Sequence, residues 1–132
     1  MRVLLVSPDA NARDLMRVAV GSVERRLGEP VSFLDAPDGE LGAKVGLRER
    51  PDAVVADEIA SRAGAFSMAK DLRGAPNPYV GPIVIILERK HDAWLAKWSG
   101  ADAWFVRPVD PFALADRLVE LIGSRGQQKE TV

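Results

Sequence analysis

The seven residues Pro51-Asp52-Ala53-Val54-Val55-Ala56-Asp57 constrain the fold most. A proline ends whatever precedes them, Ala53 to Ala56 is apolar without alternation, and a carboxylate closes the run. A run this short and β-branched, bounded by a helix-stopper, reads as a strand buried on both faces, typical of a parallel sheet. Asp57 then falls at the strand's carboxyl end, where open α/β sheets place their ligands.

The rest of the chain alternates around that strand. Val3 to Val6 is a short apolar strand, and Asp9 or Asn11 can cap the helix after it. In that helix Met16, Val20, Val23 and Leu27 fall at helical spacing, with Leu15 and Ala19 widening the stripe, until Gly28 and Pro30 close it. Val31 to Leu34 is the second strand. Asp38-Gly39 opens a second helix to about Arg50, with Leu41 and Val45 one turn apart. Gly42 and Gly46 inside it cost about 1 kcal/mol each relative to alanine, which predicts the weakest helix of the chain.

Beyond Asp57 a third helix runs from Ser61 or Ala65 to Arg73, with Phe66, Ala69 and Leu72 on one face. Gly74 to Pro78 is a loop. Ile83 to Leu87 is the most strand-like run. A short fourth helix covers Asp92 to Ser99 and ends at Gly100. Ala103 to Val106 is the fifth strand, stopped by Arg107-Pro108. Asp110 caps a last helix carrying Phe112, Leu114, Leu118 and Leu121, which Gly123 ends. The expected organisation is one domain over 1–123 and a polar, frayed tail over 124–132. Five strand-helix steps, each crossing over right-handedly, predict an α/β fold of the flavodoxin-like (βα)5 kind. Its five-stranded parallel sheet has order 2-1-3-4-5, with helices on both faces.

Composition excludes several classes of function. The chain has 132 residues, no cysteine, an apolar fraction of 47% and a formal net charge of −1. It therefore offers no disulfide framework, thiolate zinc site or thiol nucleophile, and no basic excess to argue for nucleic acid. The apolar runs are too short to span a bilayer and the N-terminus enters a strand directly, so the expectation is a cytoplasmic domain with no membrane partner.

Over nearly its whole length the chain resembles the response-regulator receiver domain. The resemblance is carried by Pro51 to Asp57, by Gly100-Ala101-Asp102-Ala103-Trp104-Phe105-Val106-Arg107-Pro108, by Asp38-Gly39-Glu40 and by Phe66. It implies a conformational switch in two-component (phosphorelay) signalling, not an enzyme. In the family an aspartate at the end of the third strand, here Asp57, takes a phosphoryl group from a histidine kinase or a small donor. Family members hold Mg²⁺ with an acidic pair after the first strand. A hydroxyl residue ending the fourth strand and a lysine ending the fifth grip the phosphoryl oxygens.

This chain departs at almost every one of those positions. The acidic pair falls on Ser7 and Pro8, the hydroxyl on Leu87 and the lysine on Arg107. Mg²⁺ wants octahedral oxygen ligands and one or two carboxylates, which Asp57 alone does not supply unless Asp9 joins it. No metal or other cofactor is therefore expected, Mg²⁺ entering only if the chain is a conventional regulator phosphorylated on Asp57. The plainer reading of Asp57 is a strand-end carboxylate paired with Arg107. Asp9 is more simply a helix cap, and His91 is given no role. The family has a cis peptide at the position of Arg107-Pro108, although trans is the general rule for X-Pro bonds.

Trp94 and Trp98 are four apart on the fourth helix and share a face, while Trp104 takes the place of the family's fifth-strand aromatic. Ala93 and Ala96 are the residues suited to face the sheet, which predicts outward tryptophans and a partner surface. The reading is a receiver-like signalling domain with a degraded Mg²⁺ and phosphorylation pocket. It would work through contacts at the fourth helix, fifth strand and fifth helix, with another protein or a second copy, and with a histidine kinase as a further possible partner. The rival from another class, a flavodoxin-like small-molecule or cofactor binder, would want a glycine-rich phosphate loop, and Ser7 to Ala12 contains no glycine.

Overall fold

A computed structural model describes residues 1–58 and 64–130. Its strands are β1 (Arg2–Val6), β2 (Ser32–Ala36), β3 (Ala53–Asp57), β4 (Ile83–Leu87) and β5 (Ala103–Val106). They pair in parallel in the order β2-β1-β3-β4-β5, the topology expected. Every residue of β3 and of β4 is buried, as continuous apolar runs at the middle of a doubly covered sheet require.

The helices are α1 (Ala10–Gly21), α2 (Val23–Leu27), α3 (Gly39–Glu49), α4 (Ala65–Gly74), α5 (Ala93–Ser99) and α6 (Pro111–Glu130). Strand alternation splits the core between the two faces. Leu4, Val6, Val54, Ala56, Ile83, Ile85 and Leu87 meet α3, α4 and α5, while Val3, Leu5, Ala53, Val55, Val84 and Ile86 meet α1, α2 and α6. Asp9 caps α1 by accepting from Asn11 N–H, and Asp38 caps α3 by accepting from Leu41 N–H.

Several local expectations are corrected. The single first helix is broken at Ser22, whose hydroxyl donates back to Ala19 O and competes with the helix ladder. Leu15 is 72% exposed, because the buried stripe runs through Ala12, Met16, Ala19 and Val20. Leu41 and Phe112 likewise point outward, leaving Val45, Leu114 and Leu118 to pack. The second strand begins at Ser32 and continues to Ala36, its register drawn along by β1. The third helix starts at Ala65; the alternative start at Ser61 lies outside the described residues. The last helix does not stop at Gly123 but runs to Glu130, since one glycine costs only about 1 kcal/mol and no proline follows it.

The two glycines of α3 have a packing role that propensity does not reveal. A Cβ on Gly42 would lie 2.9 Å from Met68 Sδ and 3.1 Å from Val6 Cγ2, and one on Gly46 would lie 2.8 Å from Leu72 Cδ2. Their missing side chains bring α3 close to α4 and β1, so the local helical penalty is offset by packing across the interface.

Candidate functional site: a half-buried ion pair at the carboxyl edge of the sheet

The ends of β1, β3, β4 and β5 converge because the parallel register fixes all four. Asp57 ends β3 opposite Ile86, and Arg107 follows β5 with its N–H donating to Leu87 O at 2.9 Å. Asp57 is 1% exposed. Arg107 Nη2 makes an ion pair with Asp57 Oδ2, the contact expected from the sequence. Arg107 Nε lies 3.2 Å from Glu88 Oε1, within ion-pair reach but out of hydrogen-bonding line. The Arg107-Pro108 peptide is cis.

The other pocket positions divide. Ser7 is buried, and its hydroxyl stands 3.4 Å from Asp57 Oδ2 as donor while accepting from Asp9 N–H at 3.2 Å. Pro8 is exposed. Asp9 is exposed too, its carboxylate engaged as the cap of α1. Leu87 is fully buried in the core layer beneath α4 and α5 and presents no polar group. Structure thus brings together Asp57, Ser7 and Arg107, and leaves the side chains of Pro8, Asp9 and Leu87 outside the polar contact. Among the described residues no group of three or more His, Asp or Glu side chains is placed to hold a metal ion.

Glu58 and Glu88 were not singled out in the sequence. Glu88 N–H donates to Glu58 Oε2 at 2.6 Å, across the ends of β4 and β3. Desolvation, then a side-chain hydrogen bond with Asp92, pushes Glu58 up to about 7, with the Asp92 and Glu88 charges adding to the rise and the Glu88 N–H opposing it. The signal was present: each residue directly follows a central strand, so adjacent parallel strands carry both to one edge.

Of the tryptophans, Trp94 and Trp98 are 65% and 58% exposed on α5, whose buried side is Ala96 and Ser99. Trp104 is half-buried opposite Ile85 and packs on the core layer under α5. On the opposite face, Leu15 and Val18 border an apolar groove of about 640 Å³ between α1 and the β5–α6 turn, with Glu88 and Arg107 at its end.

No protein-family model matches the chain. An uncharacterized response regulatory protein of Mycobacterium tuberculosis, Rv3143, is 27% identical over 124 residues, covering 92% of this chain and 91% of the relative. The transcriptional regulatory protein AfsQ1 of Streptomyces coelicolor is 28% identical over 131 residues, covering 98% of this chain and 54% of that protein. Among solved structures, the receiver domain of Francisella response regulator 1452 superposes with a TM-score of 0.77 at 19% identity, covering 94% of this chain and 98% of that one. The BeF3-activated receiver domain of Klebsiella pneumoniae RstA gives 0.74 at 22% identity, covering 92% and 98%.

Proposed function

We propose that the chain is a response-regulator receiver domain, a signalling module and not a classical enzyme, and that it signals without being phosphorylated, through protein contacts. The observation that carries this is the Arg107–Asp57 ion pair. Phosphoryl transfer is mostly positioning and charge neutralisation, and needs a divalent ion beside the acceptor oxygen. Here a guanidinium lies against Asp57 Oδ2, Ser7 and Pro8 stand where the family has carboxylates, and Leu87 offers no hydroxyl to a phosphoryl oxygen. This donor set does not suit Mg²⁺, which takes carboxylate and water oxygens in octahedral array and has no use for a cation in its place.

Arg107 would supply permanently the positive charge that a metal and a phosphoryl-gripping lysine supply together in a conventional receiver. The pocket is then held in one electrostatic state, and output depends on which partner finds the outer face. That face comprises α5, β5 and α6, with Trp94 and Trp98 outermost. No described helix is long and apolar enough to cross a membrane, and the setting proposed is the cytoplasm.

Intact mass after incubation with acetyl phosphate and Mg²⁺ tests the reading. The mass should stay unchanged. A phosphate adduct that disappears in Asp57→Asn would make the chain a conventional regulator and overturn the proposal.

A further inference from the structure

The outer face of α5 has a charge pattern as well as exposed rings. Lys97 and Trp98 lie three and four residues beyond Trp94 on α5, so the three share one side. All three are exposed. From α4, Lys70 reaches across and sets its Nζ 4.1 Å from the centre of the Trp98 ring. A cation over a ring is held by the ring quadrupole, so this lysine is positioned in advance instead of sweeping through solvent.

The acids nearby do not cancel these charges. Asp92 is turned toward Glu58, with which it shares a hydrogen bond. Asp102 is paired with Arg73 at 2.8 Å. Asp71 is exposed but one residue on from Lys70, about 100° further around the helix. Two exposed tryptophans therefore sit with Lys70 and Lys97 beside them. Ala96 and Ser99 hold α5 to the body of the domain, so the rings are not needed there.

We propose that this face docks an acidic amphipathic segment of a different protein, its apolar side chains covering Trp94 and Trp98 and its carboxylates meeting Lys70 and Lys97. This deepens the functional reading above and rests on it. A second copy is a poor occupant, because a twofold interface lays the same patch on itself and would oppose lysine to lysine. Single-stranded nucleic acid is disfavoured too. Its binding sites combine stacked rings with a basic groove that tracks the backbone, whereas here two lysines stand beside two rings on a chain of net charge −1.

The test is a display selection of random peptides on the full chain, with the Trp94→Gln/Trp98→Gln variant as counter-target. An enriched peptide is then titrated by tryptophan fluorescence. Enriched sequences should be net acidic and carry aromatic or aliphatic residues. Lys70→Gln/Lys97→Gln should weaken binding about tenfold or more without changing the melting temperature, and added salt should weaken the wild type further. Enrichment of neutral or basic peptides, or equal binding to the tryptophan variant, overturns the inference. So does tighter binding of oligothymidylate than of the peptides, or self-association in sedimentation that the tryptophan variant abolishes. The acetyl phosphate experiment reads Asp57 alone, so failure of the functional reading would be recognised separately.

Discussion

Replacing Arg107 by methionine keeps most of the side chain's apolar stem and removes its charge. It takes from Asp57, 1% exposed, the guanidinium that faces Oδ2, while the Ser7 hydroxyl stays 3.4 Å away. Breaking a fully buried ion pair from one side costs about 3–5 kcal/mol. Arg107 is 35% exposed, so water can reach the vacated place, and screening lowers the expectation to about 2–3 kcal/mol. At about 4 °C per kcal/mol for a domain of this length, the melting temperature should fall by roughly 8–12 °C. Asp57→Asn keeps an acceptor for Ser7 and leaves Arg107 with Glu88 and solvent, so it should cost only about 1 kcal/mol. The double variant should be more stable than Arg107→Met alone, because the buried group that loses its guanidinium is then neutral. Urea unfolding of the four proteins at neutral pH measures the cycle. A single Arg107→Met within about 0.5 kcal/mol of wild type, or a double variant equal to the sum of the singles, would refute the reasoning.

Three further outcomes are expected. Gly42→Ala should lower stability by about 1 kcal/mol in spite of its helical gain, since Val6 is a stiff strand residue that cannot retreat; Gly46→Ala should be near neutral, since only a Leu72 methyl must turn, and urea midpoints separate the two. Glu58 sits at about 7 in the fold against an ordinary 4.5, so its stabilising contribution is complete below pH 4.5 and lost as pH rises through 7. Glu58→Gln should therefore match wild type at low pH and exceed it at pH 8 by about 1 kcal/mol after solvent screening, and a pH-independent difference in urea titrations would contradict this. Tyr79→Phe removes a buried hydroxyl that donates to Pro51 O at 2.8 Å and should cost about 1–2 kcal/mol in thermal unfolding.

Strand identity was legible in the sequence because it is local: Ala53 to Ala56 and Ile83 to Leu87 are apolar at every position and bounded by stops. The strand order followed from alternation and handedness, which leave few ways to arrange five parallel strands. Outward tryptophans could be read from Ala93 and Ala96, since a helix's small side faces whatever it packs against most closely. Pairing of Arg107 with Asp57 was also within reach, both being strand-end residues of one sheet.

Other features required the tertiary structure, because they depend on which surfaces meet. Gly42 and Gly46 read as local weakness until α4 is set against α3, where Met68 and Leu72 fill the space a Cβ would take. Leu15 and Phe112 extend apolar stripes by spacing, yet which edge of a stripe is covered is decided by the angle at which α1 and α6 lie on the sheet. The raised Glu58 carboxyl depends on burial at the sheet edge and then on Asp92, which the crossover from β4 to α5 carries to its side. Sequence determined which segments form strands and helices, through near-neighbour chemistry. Tertiary structure decided which distant groups share a dielectric environment, because burial and charge act through space and not along the chain.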